Sequence, residues 1–198
     1  MSKDFSTELS DWLKSDGSKT LIELDIVFGD RTFAILFMFM MAASALPIPT
    51  GGITDVFAVI TILFAFQMML GRNSLWLPKR WRKMKLTKVF TDKLLPGLVK
   101  LIRWLEKFSA PRLPWIFRGK ISDVLLGLSV VVLAAATIAA PPFSGLDTIP
   151  ALGIVIISAG IVLKDGLMTI IGWVIGAGGI LIQLLFGKAV IELFQKIL

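Results

Sequence analysis

ALPIPTGGITD, residues 45–55, interrupts an apolar stretch with two prolines and two glycines and then places an aspartate. AAPPFSGLDTIP, residues 139–150, repeats the device further along the chain. Proline has no N–H to give and clashes with the preceding turn, so neither stretch continues a helix. Apolar runs flank both breaks, at 33–46 and 53–70, then at 121–140 and 149–163. A last run, 167–186, is long enough to cross a bilayer, which takes about 20 residues, and KAVIELFQKIL closes the chain as an amphipathic tail.

Sliding the chain by 93 residues overlays the two parts without a gap. Asp30 falls on Asp123, Pro49 on Pro142, Gly52 on Gly145, Ala58 on Ala151 and Leu70 on Leu163. The fold expected is an all-α integral membrane protein with a two-fold internal repeat of proline/glycine-broken hairpins, amphipathic interfacial helices and a C-terminal transmembrane helix. The repeats are placed at 20–83 and 120–187, with a basic amphipathic linker at 84–119 and the tail at 188–198. Each hairpin is either a pair of full spans or a re-entrant pair of half-helices. Run 33–46 covers only about 21 Å against a core of about 30 Å, which favours the re-entrant form for the first repeat.

Composition agrees with this class. Of 198 residues, 56% are hydrophobic, and the mean hydropathy is +0.82. Histidine, cysteine and tyrosine are absent, which excludes disulfides, Cys/His metal sites and imidazole catalysis. No cofactor or metal is expected. The net charge of +7 is local: residues 72–120 carry fourteen Lys/Arg against Asp92 and Glu106, whereas the first 31 carry four bases and seven acids. Such a segment marks the cytoplasmic side and suits anionic lipid headgroups, not nucleic acid. The expected location is the bacterial inner membrane, multi-pass, with the N-terminus and the basic middle in the cytoplasm.

The N-terminus shows no secretory signal pattern. Phe5, Leu9, Trp12 and Leu13 share one helical face, Asp16-Gly17-Ser18 breaks the helix, and Thr20 caps a second one through Phe28. Within 90–108, Phe90, Leu94, Leu98, Leu101, Leu105 and Phe108 oppose Lys93, Lys100, Arg103 and Lys107. Both faces are expected to lie on the membrane surface.

Candidate pathway residues gather at the breaks: Pro47, Pro49, Gly51, Gly52 and Asp55 at the first, Pro142, Gly145 and Asp147 at the second, with Gln67 in an apolar helix. An ionisable group at membrane depth is costly without a role, although Asp55 and Asp147 also suit helix caps. Asp30, Arg31, Arg72, Asp123, Lys164 and Asp165 are candidate interfacial or gating charges. Gln183 invites interhelical hydrogen bonding. Gly172, Gly176 and Gly179 suit close helix packing, a dimer contact included.

TLIELDIVFGDRTFAILFMFMMAASALPIPTGG (20–52), FQMMLGRNSLWLPKRW (66–81) and the half containing APPFSG, TIPALGI, LKDGL and GWVIG resemble the ExoD family of bacterial membrane proteins. The most specific pieces are Gly29-Asp30-Arg31, Leu46-Pro47-Ile48-Pro49, Gln67 with Leu70-Gly71-Arg72, Trp76-Leu77-Pro78 and Lys164-Asp165-Gly166, where Lys164 departs from the acid usual in that family. The resemblance implies a link to exopolysaccharide synthesis and to growth at alkaline pH, and no catalytic mechanism.

A small, dimeric, permease-like transporter is the leading expectation. A non-catalytic accessory subunit of an envelope polysaccharide assembly is the alternative, with the exopolysaccharide machinery as its expected partner. An enzyme on lipid-linked sugars ranks last, since no carboxylate cluster, metal set or nucleophile–base pair is present.

Overall fold

A computed structural model describes residues 4–15, 19–29, 31–46, 52–72, 74–76, 95–141 and 144–197, with side chains through 187. Asp30, Pro47, Pro49, Gly51 and Pro142 lie outside the described residues, as do the Asp16–Ser18 break and 77–94. Among the described residues the chain is all-helical, without a β-strand.

The helices begin and end close to the sequence signals. α1 spans Phe5–Lys14 and α2 spans Leu21–Phe28. Thr20 caps α2 as expected, its Oγ1 accepting the Glu23 N–H at 3.2 Å. α3 (Arg31–Ala42) and α4 (Ile53–Met69) flank the first break. α5 (Leu95–Glu106) follows, then a 3-10 turn at Pro114–Phe117. α6 (Lys120–Ala139) and α7 (Thr148–Leu163) flank the second break. α8 runs unbroken over Gly166–Ile197, so the tail continues the last apolar helix.

Four helices form a ring in which α3 touches α4 and α7, and α6 touches α4 and α7. The ring neighbours are antiparallel. A Cβ built on Gly127, early in α6, would meet Ala65 and Met69 late in α4. α3 and α7 are the inner pair: Thr32 through Met38 are all buried, and so is most of α7. Burial on every face explains how the 12-residue α3, about 18 Å long, remains a stable helix.

α8 lies along α7 and touches α6. Its approach depends on glycine. A Cβ on Gly153 would come within 2.8 Å of Gly176 Cα, one on Gly172 within 2.7 Å of Ile157 N, and one on Gly179 within 2.8 Å of Pro150 Cδ. The glycine face expected to serve helix packing is therefore occupied within the chain by α7 and by Leu133 of α6, which leaves no dimer contact there.

The outside of the bundle is apolar. Val56, Val59, Leu63 and Phe66 are exposed on α4, Leu125, Leu128 and Val132 on α6, and Val174, Leu181 and Leu185 on α8. Two helices, Lys120–Ala139 and Gly166–Gly187, are long and apolar enough to cross a bilayer. A surface of contiguous aliphatic side chains suits lipid better than water, which reads as a membrane protein.

One expectation is corrected. The apolar face of α1 is turned inward, not onto a membrane, and that of α5 is so only in part. Leu101 and Leu105 are half-buried, Phe108 is exposed, and Phe90 and Leu94 lie outside the described residues. Phe5, Leu9 and Trp12 are buried, as are Leu95, Leu98, Val99 and Ile102, and α1 packs on α5. Phe5 and Trp12 meet Phe28 edge-on at 5.4 and 5.8 Å. Lipid tails and core side chains are equally apolar, so periodicity alone does not choose between them.

Candidate functional site

The ring has a charged end. The first turns of α3 and α6 and the last turns of α4 and α7 enclose a cavity of about 250 Å³. Six of its eleven lining residues fall in pairs 93 residues apart in sequence: Phe33 with Leu126, Met68 with Ile161, and Gly71 with Lys164. The two pairs of helices thus contribute corresponding positions to one space.

The backbone around it repeats too. Gly71 and Lys164 both adopt positive φ, +67° and +54°, at the end of the second helix of their pair. Gly71 N–H donates to Met68 O and Arg72 N–H to Gln67 O. Ninety-three residues on, Lys164 N–H donates to Ile161 O and Asp165 N–H to Gly160 O. Both helices therefore end in the same left-handed cap, with the last carbonyls satisfied alike.

Four of the six charges named from the sequence as interfacial candidates line this cavity: Arg31, Arg72, Asp123 and Lys164. Arg72 and Lys164 are exposed at its mouth, and Asp123 is half-buried. Arg31 is steered from behind: Glu8 of α1 stands 3.8 Å from its Nη1, and its guanidinium lies 5.0 Å from the Phe5 ring centre. The floor of Phe33, Met68, Leu126 and Ile161 is apolar and lowers the local dielectric, which strengthens any charge interaction above it.

Asp165 stands apart from the other four. It is 2% exposed; Oδ2 accepts from Ser109 Oγ (3.2 Å) and Ala110 N–H (3.1 Å), and Oδ1 from the N–H groups of Leu167 (3.1 Å) and Met168 (3.4 Å). It caps α8 and fastens the 109–110 chain to it. Gly166 completes the joint by donating its N–H to Arg112 O at 2.8 Å, where a Cβ would strike Leu113.

Of the residues proposed near the breaks, the described ones, Gly52, Asp55, Gly145 and Asp147, lie at the other end of the ring and do not line the cavity. Asp55 is exposed in the first turn of α4. Asp147 takes the N-cap position of α7 without a side-chain capping bond. Gly145 has φ +70°, and Gly52 precedes α4. Gln67 turns to the charged end, its Oε1 accepting Trp76 N–H at 2.8 Å, and Gln183 Nε2 donates to Leu146 O at 2.9 Å beside the second break. No cluster of metal-ligating side chains occurs among the described residues.

Several fastening residues escaped the sequence reading. Asp25 receives Leu75 N–H on both carboxylate oxygens at 3.1 Å, and Glu106 receives Ser6. Glu106 carried a signal, as one of two acids in a segment of fourteen bases.

Comparison with known proteins shows the family. The chain is 33% identical over 171 residues to an uncharacterized protein of Synechocystis sp., covering 83% of this chain and 78% of that one. It is 31% identical over 160 residues to Protein ExoD of Rhizobium meliloti, covering 78% of this chain and 64% of that one. No solved structure matches. The sequence model of the family described as "Exopolysaccharide synthesis, ExoD" matches residues 5–185, from the helix that steers Arg31 to the glycine-packed α8, and the chain belongs to the ExoD family.

Proposed function

We propose that the chain is a small permease-like membrane protein linked to exopolysaccharide synthesis, built from a duplicated helical hairpin and acting through the cavity between the hairpins. The observation that carries this reading is the charged cavity to which the two helix pairs contribute three residue pairs 93 apart, because sites between structural repeats are where small transporters bind their solutes. The broken tips with Asp55 and Asp147 form the opposite end of the same route in this reading. The chain sits in the inner membrane with α1, α5 and the cavity at the cytoplasmic face, since the sequence of 72–120 is strongly basic and its described residues Arg72, Arg112 and Arg118 stand at or beside the cavity. A homodimer supplies the remaining wall. The chemistry is movement and not bond-making, so no cofactor takes part.

The alternative, a non-catalytic accessory subunit docking on the exopolysaccharide machinery, draws support from one feature. Trp104, Phe108 and Trp115 are exposed beside Arg103, Lys107, Arg112 and Arg118. Aromatic and basic side chains together suit either an interface with headgroups or a partner.

Complementation of a strain lacking the protein separates the two. Exopolysaccharide yield that falls with Asp55→Asn or Asp147→Asn, at unchanged membrane abundance, supports the permease. Indifference there, with loss on neutralising Lys79, Arg80, Arg82 and Lys83, overturns it in favour of the accessory subunit.

A further inference from the structure

We infer that the cavity between Arg31, Arg72 and Lys164 is a binding site for a phosphomonoester group. This stands apart from the permease reading, because it requires binding only and no crossing. Three cations and one carboxylate line the space; with Glu8 paired to Arg31 from the α1 side, the side chains keep an excess of one positive charge. Helix dipoles do not set the sign, because two helix starts and two helix ends meet here and offset one another. The ligand must then be an anion, and a small one. About 250 Å³ is just below the roughly 300–1,000 Å³ of pockets that take drug-sized molecules.

The donor set narrows the class. Two guanidinium forks match the planar pairs of oxygens on a phosphate, and Lys164 adds a point charge at the mouth. Arg31 is held by Glu8 and Phe5 from the α1 side, so little side-chain freedom is lost when a ligand arrives. Asp123 on the same lining has an interaction of its own within the chain. A phosphomonoester presents two or more terminal oxygens to the cations at once, which a fork and a point charge can share. The apolar floor excludes water below the group and accommodates the carbon to which the phosphate is attached. The group is carried either by a soluble anion or by a lipid at the membrane face, and the same three cations serve both.

The test uses the full chain purified in detergent, titrated calorimetrically with inorganic phosphate, and in parallel reconstituted into phosphatidylcholine vesicles with and without phosphatidic acid. The expected result is saturable binding in one arm that weakens at least tenfold with Arg72→Gln and with Lys164→Gln. Lys100→Gln, exposed on α5 away from the cavity, leaves it unchanged. Response to phosphate assigns a soluble ligand. Response to phosphatidic acid alone, with the same sensitivity to Arg72 and Lys164, assigns a lipid headgroup. Both cations are exposed, so these variants keep the fold, and circular dichroism verifies it. Arg72→Lys, which keeps the charge and loses the fork, should retain part of the affinity. Absence of binding in both arms overturns the inference, as does binding that Lys100→Gln weakens as much as the two cavity variants do.

Discussion

Ser6 and Glu106, a hundred residues apart in sequence, are joined by two hydrogen bonds: Ser6 N–H to Glu106 Oε1 at 2.8 Å and Ser6 Oγ to Oε2 at 2.5 Å. The carboxylate satisfies a free N–H in the first turn of α1 and fixes that helix on α5. Since α1 also supplies Glu8 and Phe5 behind Arg31, this joint connects α5 mechanically to the charged cavity.

Glu106→Ala should therefore release α1. Hydrogen bonds to a charged group contribute about 1.5–3 kcal/mol, and Ser6 is 1% exposed, so its groups would be left buried without a partner. Limited proteolysis of the purified protein should show faster cleavage within the first 20 residues, with α6–α8 intact. Equal cleavage of variant and parent would mean that the apolar contacts of Phe5, Leu9 and Trp12 hold α1 unaided.

The α7–α8 contact makes a sharper prediction, because two glycines of the same helix differ in their surroundings. A Cβ on Gly172 meets Ile157 N at 2.7 Å and Gly153 O at 2.9 Å, both backbone atoms unable to yield. Gly172→Ala should cost about 1–3 kcal/mol through overpacking. Gly178 has nothing within 4 Å, and Gly178→Ala should be neutral or stabilising by up to about 1 kcal/mol. Thermal unfolding in detergent should separate the two. Similar melting temperatures would count against the close α7–α8 approach.

Asp165→Ala removes the acceptor for four donors at once and should destabilise the chain more than Glu106→Ala does. Asp165→Asn keeps one acceptor oxygen and should fall between. The readout is the melting temperature in detergent, which should fall from parent to Asp165→Asn to Asp165→Ala. An unchanged melting temperature would show that Gly166, through Arg112 O, holds this joint alone.

Topology can be read the same way, since the chain has no native cysteine. The 20-residue α6 covers about 30 Å and should carry Ser144 to the far face, so Ser144→Cys is expected to react with an impermeant thiol reagent from outside. α3 has only 12 residues, and Gly52→Cys should react more slowly from that side, as a tip that stops short. Equal rates would make both hairpins full spans.

Much of the fold was legible in the sequence. Helix limits follow from proline, glycine and capping residues acting on their own neighbours, so Thr20, the two breaks and the stop at Gly71 and Lys164 mark them without any knowledge of the partner. The overlay of Asp30 on Asp123 and Leu70 on Leu163 likewise anticipates two helix pairs ending in matched caps. The charges at the helix ends were recognisable as candidates, because lysine, arginine and aspartate stand there at the limits of long apolar runs.

Which surfaces meet was decided only in three dimensions. Apolar faces are interchangeable to the hydrophobic effect, so the periodicity of Phe5, Leu9 and Trp12 suits α5 as well as it suits lipid. The glycines of α8 specify a close approach and say nothing of the partner, which proved to be α7. Arg31, Arg72, Asp123 and Lys164 come from four different helix ends, and no spacing along the chain joins them. They share one cavity because the ring brings two helix starts and two helix ends together. The sequence by itself determined the segments and their chemistry; the pairing of the segments, a matter of shape and not of pattern, made a site of them.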